Sequence, residues 1–130
     1  MVLSKSPNLE GIAILIVEDV ETSARFFEAA LSRTNAKLYW ANTGEKAINL
    51  FDSNADIDLV ILDLNLPEIS GFDVLDHIRN KNQDIPVIVQ SAYVLSGEHE
   101  RSMDMGANFF LEKPVRLDVL FNTLNQCVVK

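Results

Sequence analysis

Five side chains of this sequence stand where an apolar run stops: Glu18 and Asp19 after residues 12–17, Asp63 after residues 59–62, Ser91 after residues 86–90, and Lys113 shortly after residues 108–111. Each has an ordinary explanation when taken alone. An Asp after a strand caps the following loop, an acidic pair suits a helix N-terminus, and a single lysine or serine is commonly solvated surface. As a set they are chemically coherent. Three carboxylates gathered in a small space repel one another, and a hard divalent cation relieves that repulsion. Mg²⁺ fits this donor set, because it takes one or two carboxylates, keeps several waters and shares a phosphate oxygen. Mn²⁺ is its natural substitute. Lys113 supplies a point charge for a phosphoryl oxygen, Ser91 a hydroxyl donor for another, and Asp63 an ionised nucleophile toward an incoming phosphoryl group. Neither histidine is spaced to act as a base; His77 and His99 fall in helical stretches and read as exposed polar residues. No glycine-rich loop precedes a helix, so nucleotide binding is not indicated.

The scaffold that must bring these residues together is legible as alternating strands and helices. Residues 12–17 are unbroken apolar, the mark of a strand (β1) buried on both faces of a sheet. From Val20, apolar residues recur at Ala24, Phe27 and Leu31, a helical stripe (α1). Residues 37–41, with Leu38, Tyr39 and Trp40, form a short strand (β2). Asn42 is placed to cap the next helix (α2), with Glu45 reaching back and Ala47, Ile48 and Phe51 facing inward. Strand β3 spans 58–63 and ends in Asp63, followed by the breakers Pro67, Ser70 and Gly71. Ser70 caps α3, which buries Phe72, Leu75 and Ile78 and ends in the polar turn 80–84. Pro86 opens β4 (86–90), where a proline costs no ladder hydrogen bond. Helix α4 (96–105) is mostly polar, with Met103 as its clearest anchor and Gly106 as its C-terminal cap. Strand β5 (108–111) and helix α5 (115–128), with Leu117, Leu120, Leu124 and Cys127 on one stripe, complete the series.

Five strand–helix alternations imply a parallel sheet with helices on both faces, joined by right-handed crossovers. The strand ends then lie on one rim, where open α/β sheets place their ligands. The length of 130 residues suits a single domain. Residues 1–10 read as a flexible polar tail and 11–130 as the folded domain. A formal net charge of −8 argues against direct nucleic-acid or anionic-membrane binding, since both need a basic footprint. No apolar run is long enough to span a bilayer and no secretory leader is evident, so a cytoplasmic location is expected. The single cysteine, Cys127, is expected to pack as a small hydrophobe.

The ordered motifs 14–19, 62–71 with Pro67, Ser91-Ala92 and 106–114 resemble the response regulator receiver domains of two-component phosphorelay signalling, over about residues 10 to 128. The resemblance implies a single-domain, flavodoxin-like (βα)5 fold, doubly wound, with a five-stranded parallel sheet in the order 2-1-3-4-5. It implies Asp63 as phosphoacceptor, Glu18, Asp19, Asp63 and the Asn65 backbone carbonyl as Mg²⁺ ligands, and Ser91 and Lys113 as the groups that engage the phosphoryl group. Ser91 and Phe110 fall at the family's switch positions, and Asn65 and Tyr93 where phosphoryl turnover is modulated; Tyr93 is expected to shield the phosphoryl group from water. A cis bond is expected at Lys113-Pro114. Glu18 stands where Asp is more frequent, Ser91 where Thr is, and Phe110 lacks the hydroxyl of the commoner Tyr.

By the same likeness the partners are a sensor histidine kinase or histidine phosphotransfer protein, and a downstream effector or a second copy through the α4-β5-α5 face. No effector domain is present, which leaves a stand-alone regulator or the receiver of a hybrid sensor kinase; the stretch 90–93 with 95–97 favours the latter. Two rivals remain at this stage. A Mg²⁺-dependent phosphatase or phosphotransferase with an aspartyl-phosphate intermediate needs an acid/base carboxylate two residues after Asp63, where Asn65 stands. A non-phosphorylated pseudo-receiver binding module would have lost part of the acidic set or Lys113, and both are intact.

Overall fold

A computed structural model describes residues 6–93 and 96–128. Its strands are β1 (Ala13–Val17), β2 (Lys37–Ala41), β3 (Ile57–Asp63), β4 (Val87–Ser91) and β5 (Phe109–Glu112). They form one parallel sheet in the order β2-β1-β3-β4-β5. The helices are α1 (Glu21–Leu31), α2 (Gly44–Ser53), α3 (Gly71–Lys81), α4 (Glu98–Asp104) and α5 (Leu117–Val128). The parallel sheet is as the alternation requires, and its strand order is the flavodoxin-like one that the resemblance implies.

The continuous apolar runs follow from burial on both faces. In β1, Leu15 and Val17 join the core under α2 and α3, while Ile14 and Ile16 join Phe27, Leu120, Phe121 and Leu124 of α1 and α5. Strand β3 divides in the same way, Val60 and Leu62 to one side and Leu59 and Ile61 to the other. At the opposite end from the candidate site the ladder slips by one residue at Asp58. Its carboxylate Oδ2 takes the Ala13 N–H at 3.0 Å, so the irregularity leaves that donor satisfied.

Several local expectations are corrected. Leu9, assigned to a flexible tail, is buried in the α1/α5 core and its N–H donates to the Thr34 carbonyl at 2.6 Å; residues 1–5 of that tail lie outside the described residues. The α2 cap is Thr43 rather than Asn42, its hydroxyl accepting from the Lys46 N–H at 3.1 Å. That shift puts Glu45 one position too early to reach back. The Ser70 cap is as expected, and Asp73 closes a reciprocal capping box with it. Helix α4 is shorter than expected and rotated: Met103 is exposed, whereas Ser102 is buried and Met105 packs on the core. Gly106, at φ +106°, follows its end in a conformation that favours glycine. Leu117 of α5 is likewise exposed, and Phe121 is buried in addition to Leu120 and Leu124. Cys127 packs against the α5 core as anticipated. Leu95, part of the hybrid-kinase likeness, lies outside the described residues.

Candidate functional site

Parallel strands carry their C-terminal ends to one edge, and the register makes the placement specific. Val17 lies beside Leu62, Asp63 beside Gln90, and Ser91 beside Glu112. Glu18, Asp63, Ser91 and Lys113 therefore emerge on adjacent strand ends. The backbone here is tightly packed: a side chain on Gly71 would place Cβ only 2.2 Å from the Asp63 carbonyl oxygen and 2.5 Å from Leu64 Cα. Glycine at this position lets α3 start directly against the end of β3.

One side of the site is acidic. Asp63 is fully buried and Glu18 nearly so, while Asp19 is exposed. Each offers a carboxylate oxygen, and these atoms lie within 4.8 Å of one another. Lys113 Nζ donates to Asp63 Oδ2 at 2.7 Å and lies 3.6 Å from Glu18 Oε1. The other Asp63 oxygen, Oδ1, accepts the Asn65 N–H at 2.8 Å. Burial, followed by the proximity of Asp63, pushes the Glu18 carboxyl up to about 7, against the opposing pull of the Val20 N–H and Lys113. Burial works against the Lys113 ammonium, but the Asp63 hydrogen bond and the surrounding carboxylates outweigh it and raise its pKa. The peptide bond between Lys113 and Pro114 is cis, as expected.

The three carboxylates are hard oxygen donors on one side of a concave edge, and only one of them faces Lys113 at hydrogen-bonding distance. The donor set fits Mg²⁺.

The other side is a polar network around Ser91. The buried Ser91 hydroxyl lies 3.1 Å from Asn65 Oδ1 and in close contact with a carboxylate oxygen of Glu98, and it accepts the Tyr93 N–H at 2.9 Å. Asn65 Nδ2 donates to both Glu98 oxygens, at 3.2 and 3.3 Å, and Asn65 Oδ1 also accepts from the Ala92 N–H at 3.3 Å. Tyr93 itself is 58% exposed. Phe110, half-buried on β5, stacks on His99 of α4 with ring centroids 4.5 Å apart and planes 13° from parallel. His77, on the far side of the fold, pairs with Asp52 at 2.8 Å.

The structure thus brings Glu18, Asp19, Asp63 and Lys113 together, with Asn65 and Ser91 beside them and Phe110 one strand away. Two members of the site escaped the sequence reading. Gln90 is buried inside a strand and donates Nε2 to Glu18 Oε1 at 2.9 Å, holding that carboxylate in place. Its signal was available, since a polar side chain within a fully buried strand requires a partner. Glu98 had no such signal; it is one acid among several in a polar helix.

The geometry defines a doubly wound parallel α/β domain with an acidic cluster and a lysine at one rim of its sheet. Residues 14–125 match the family model described as the response regulator receiver domain, and the chain belongs to that family. The sensor histidine kinase RcsC of Salmonella typhimurium is 34% identical over 115 residues, covering 88% of this chain and 12% of the relative. The cell cycle response regulator CtrA of Brucella ovis is 30% identical over 115 residues, 88% of this chain and 49% of the relative. This chain therefore spans half the length of these relatives or less. Among solved structures, the non-phosphorylated HemR receiver domain of Leptospira biflexa is 34% identical, with a TM-score of 0.83 over 92% of this chain and 95% of that one. The protein is a receiver domain of two-component phosphorelay signalling, and none of its described helices is long and apolar enough to cross a membrane.

Proposed function

We propose that Asp63 is the phosphoacceptor of a cytoplasmic signalling switch, charged by a phosphohistidine on a sensor histidine kinase or histidine phosphotransfer protein. The carrying observation is the buried Asp63 carboxylate held between the Lys113 ammonium at 2.7 Å and the Glu18/Asp19 acids. Mg²⁺ would be held by Glu18, Asp19, Asp63 and the Asn65 backbone carbonyl, with Mn²⁺ as a substitute. When bound, the ion supplies charge neutralisation for the phosphoryl oxygens.

An Asp63 oxygen forms the new P–O bond as the P–N bond to the donor imidazole breaks, and the departing nitrogen keeps the electron pair. Lys113 already holds an Asp63 oxygen, so it is positioned to keep that carboxylate oriented and then to donate to a phosphoryl oxygen. Ser91 donates to another. Gln90 and the Val20 N–H, at 2.9 and 3.1 Å, fix the two Glu18 oxygens. A cavity of about 460 Å³ beside Lys113, lined by Thr22, Ser23, Phe26, Pro114 and Val115, offers the donor protein a place to approach. Asn65, rather than an acid, stands two residues after the nucleophile, so Asp63 is left as an acceptor without a built-in acid/base partner for turnover. Tyr93 modulates the lifetime of the acyl phosphate.

The added charge biases Ser91 and Phe110 between two arrangements and changes the α4-β5-α5 surface presented to an effector or a second copy. The test is incubation with acetyl phosphate and Mg²⁺, followed by intact mass. One phosphoryl group is expected on the wild type and none on Asp63→Asn. A wild type that takes up neither phosphate nor beryllofluoride overturns the reading.

A further inference from the structure

The hydroxyl proposed to receive the phosphoryl group is already engaged by an anion from the chain itself. Ser91 has one proton to give, and two acceptors face it: Asn65 Oδ1 at 3.1 Å and the Glu98 carboxylate. Asn65 Oδ1 has the Ala92 N–H as well, whereas the Glu98 carboxylate is the charged acceptor, so the Ser91 hydroxyl donates to Glu98. The Asn65 amide donates to the same carboxylate. An acidic side chain thus draws together the donors at the phosphoryl end of β4 and the residue after next from Asp63. Glu98 is the first residue of α4, directly after Gly97 at φ +82°. The next residue, His99, carries the ring stacked on Phe110.

We propose that Glu98 is an intramolecular competitor of the phosphoryl group: its carboxylate holds Ser91 Oγ and Asn65 Nδ2 in the unphosphorylated protein and is displaced when Asp63 is phosphorylated. This rests on Asp63 being the acceptor. Only one anion can take the Ser91 proton. A phosphoryl group carries more charge and more acceptor oxygens than a carboxylate and repels it, so Glu98 leaves. Because Glu98 opens α4 and adjoins His99, its release frees the first turn of α4 and the ring that covers Phe110. Glu98 is a positioning residue that couples occupancy of the site to the helix, and it lowers the affinity of the site for a phosphoryl group by the strength of the contacts it must surrender.

Beryllofluoride with Mg²⁺, titrated by calorimetry into the intact chain, serves as the probe. Removal of a charge-assisted hydrogen bond to Ser91 is worth about tenfold in affinity. Glu98→Ala should bind about tenfold more tightly than the wild type, and Glu98→Gln should fall between them. In a Ser91→Ala background the Glu98→Ala gain should shrink to that of the Asn65 contact alone. Independently of any phosphate analogue, amide hydrogen exchange in α4 should accelerate in Glu98→Ala while the sheet stays protected, which separates release of the helix from loss of folding. Unchanged or weaker beryllofluoride affinity in Glu98→Ala, with the wild type binding, overturns the competitor role and leaves the acceptor reading standing. If wild type and variants all fail to bind, the acceptor reading is what has failed, and the competitor role goes with it.

Discussion

Replacing Glu18 by Gln should stabilise the protein when no divalent cation is present. In the folded chain burial and Asp63 raise the Glu18 carboxyl from 4.5 to about 7, so at pH 8 the folded state ionises a group that resists ionisation. A tenfold change in proton affinity corresponds to about 1.4 kcal/mol. A carboxyl raised from 4.5 to about 7 therefore costs the folded state on the order of 3 kcal/mol at pH 8. The sign follows from the direction of the change. A folded-state pKa raised above the unfolded value contributes stability that is full below pH 4.5 and is lost as the pH rises through about 7.

Glu18→Gln avoids this loss. Its amide oxygen still accepts from Gln90 or from the Val20 N–H, and its NH₂ replaces the proton between residue 18 and Asp63. Some of the gain is spent on imperfect reorientation, leaving about 2–3 kcal/mol, or roughly 7–11 °C in Tm for a domain of this size. Thermal unfolding in a chelator at pH 8 and at pH 4.5 reads it directly. The variant should melt higher at pH 8, and the gap should nearly close at pH 4.5. Addition of Mg²⁺ should raise the wild type and leave the variant almost unmoved, because ligand binding to the folded state adds stability only where the ligands are intact. A variant no more stable than wild type at pH 8 in chelator, or a gap independent of pH, would refute the reasoning.

Two further outcomes follow from the packing. Gly71→Ala forces Cβ to within 2.2 Å of the Asp63 carbonyl oxygen and 2.5 Å of Leu64 Cα, so backbone must shift; a loss of about 1–3 kcal/mol by urea denaturation is expected, together with slower acetyl-phosphate uptake, whereas wild-type stability and uptake would show that the α3 start yields freely. Burial pushes the Cys127 thiol from 9.0 up to about 11, so at pH 8 its thiolate fraction falls about a hundredfold and Ellman's reagent should react about a hundred times more slowly with the folded than with the urea-unfolded chain; equal rates would place that thiol in solvent.

The sheet was legible because its physics is local. A strand covered on both faces is apolar at every position, and β1, β3 and β4 announce themselves by that continuity and end in the polar residues that form the site. What the sequence did not convey depends on how elements return over one another. Leu9 stands among polar neighbours, and nothing near it shows that its N–H will meet Thr34 at the end of α1. The inward face of α4 was misphased because Met103 is its obvious hydrophobe, yet Ser102 faces the core; on α5, Leu120, Leu124 and Cys127 point inward as the stripe requires, and only Leu117 is exposed, with Phe121 buried in addition. Glu98 reaches Ser91 because α4 begins over the end of β4, a tertiary fact that leaves no periodicity in an acidic helix. Gln90 lies between these cases: its polarity in a buried run was visible, but its partner Glu18, far away in sequence just past the end of β1, was not.

The division of the site into two poles decides where a new charge at Asp63 is felt. Asp63 presents one oxygen to Lys113 and the other to the Asn65 backbone. On the first side stand a lysine and the acids proposed to hold a divalent cation, so added negative charge is met by positive charge and little need move. On the second side Ser91 and Asn65 converge on Glu98, a carboxylate. A phosphoryl group adds roughly −1.5 to −2 charge, and the anion it meets there sits on the short helix α4. The acidic pole is tied to β1 and β3 in the middle of the sheet, with core on both faces. Helix α4 has one buried residue, Ser102. Equal forces on the two sides would displace the element with less packing to lose. On the proposal that Asp63 is the acceptor, the response is therefore expected to run through Glu98 into α4 and the His99–Phe110 stack, with the acid side as the fixed abutment.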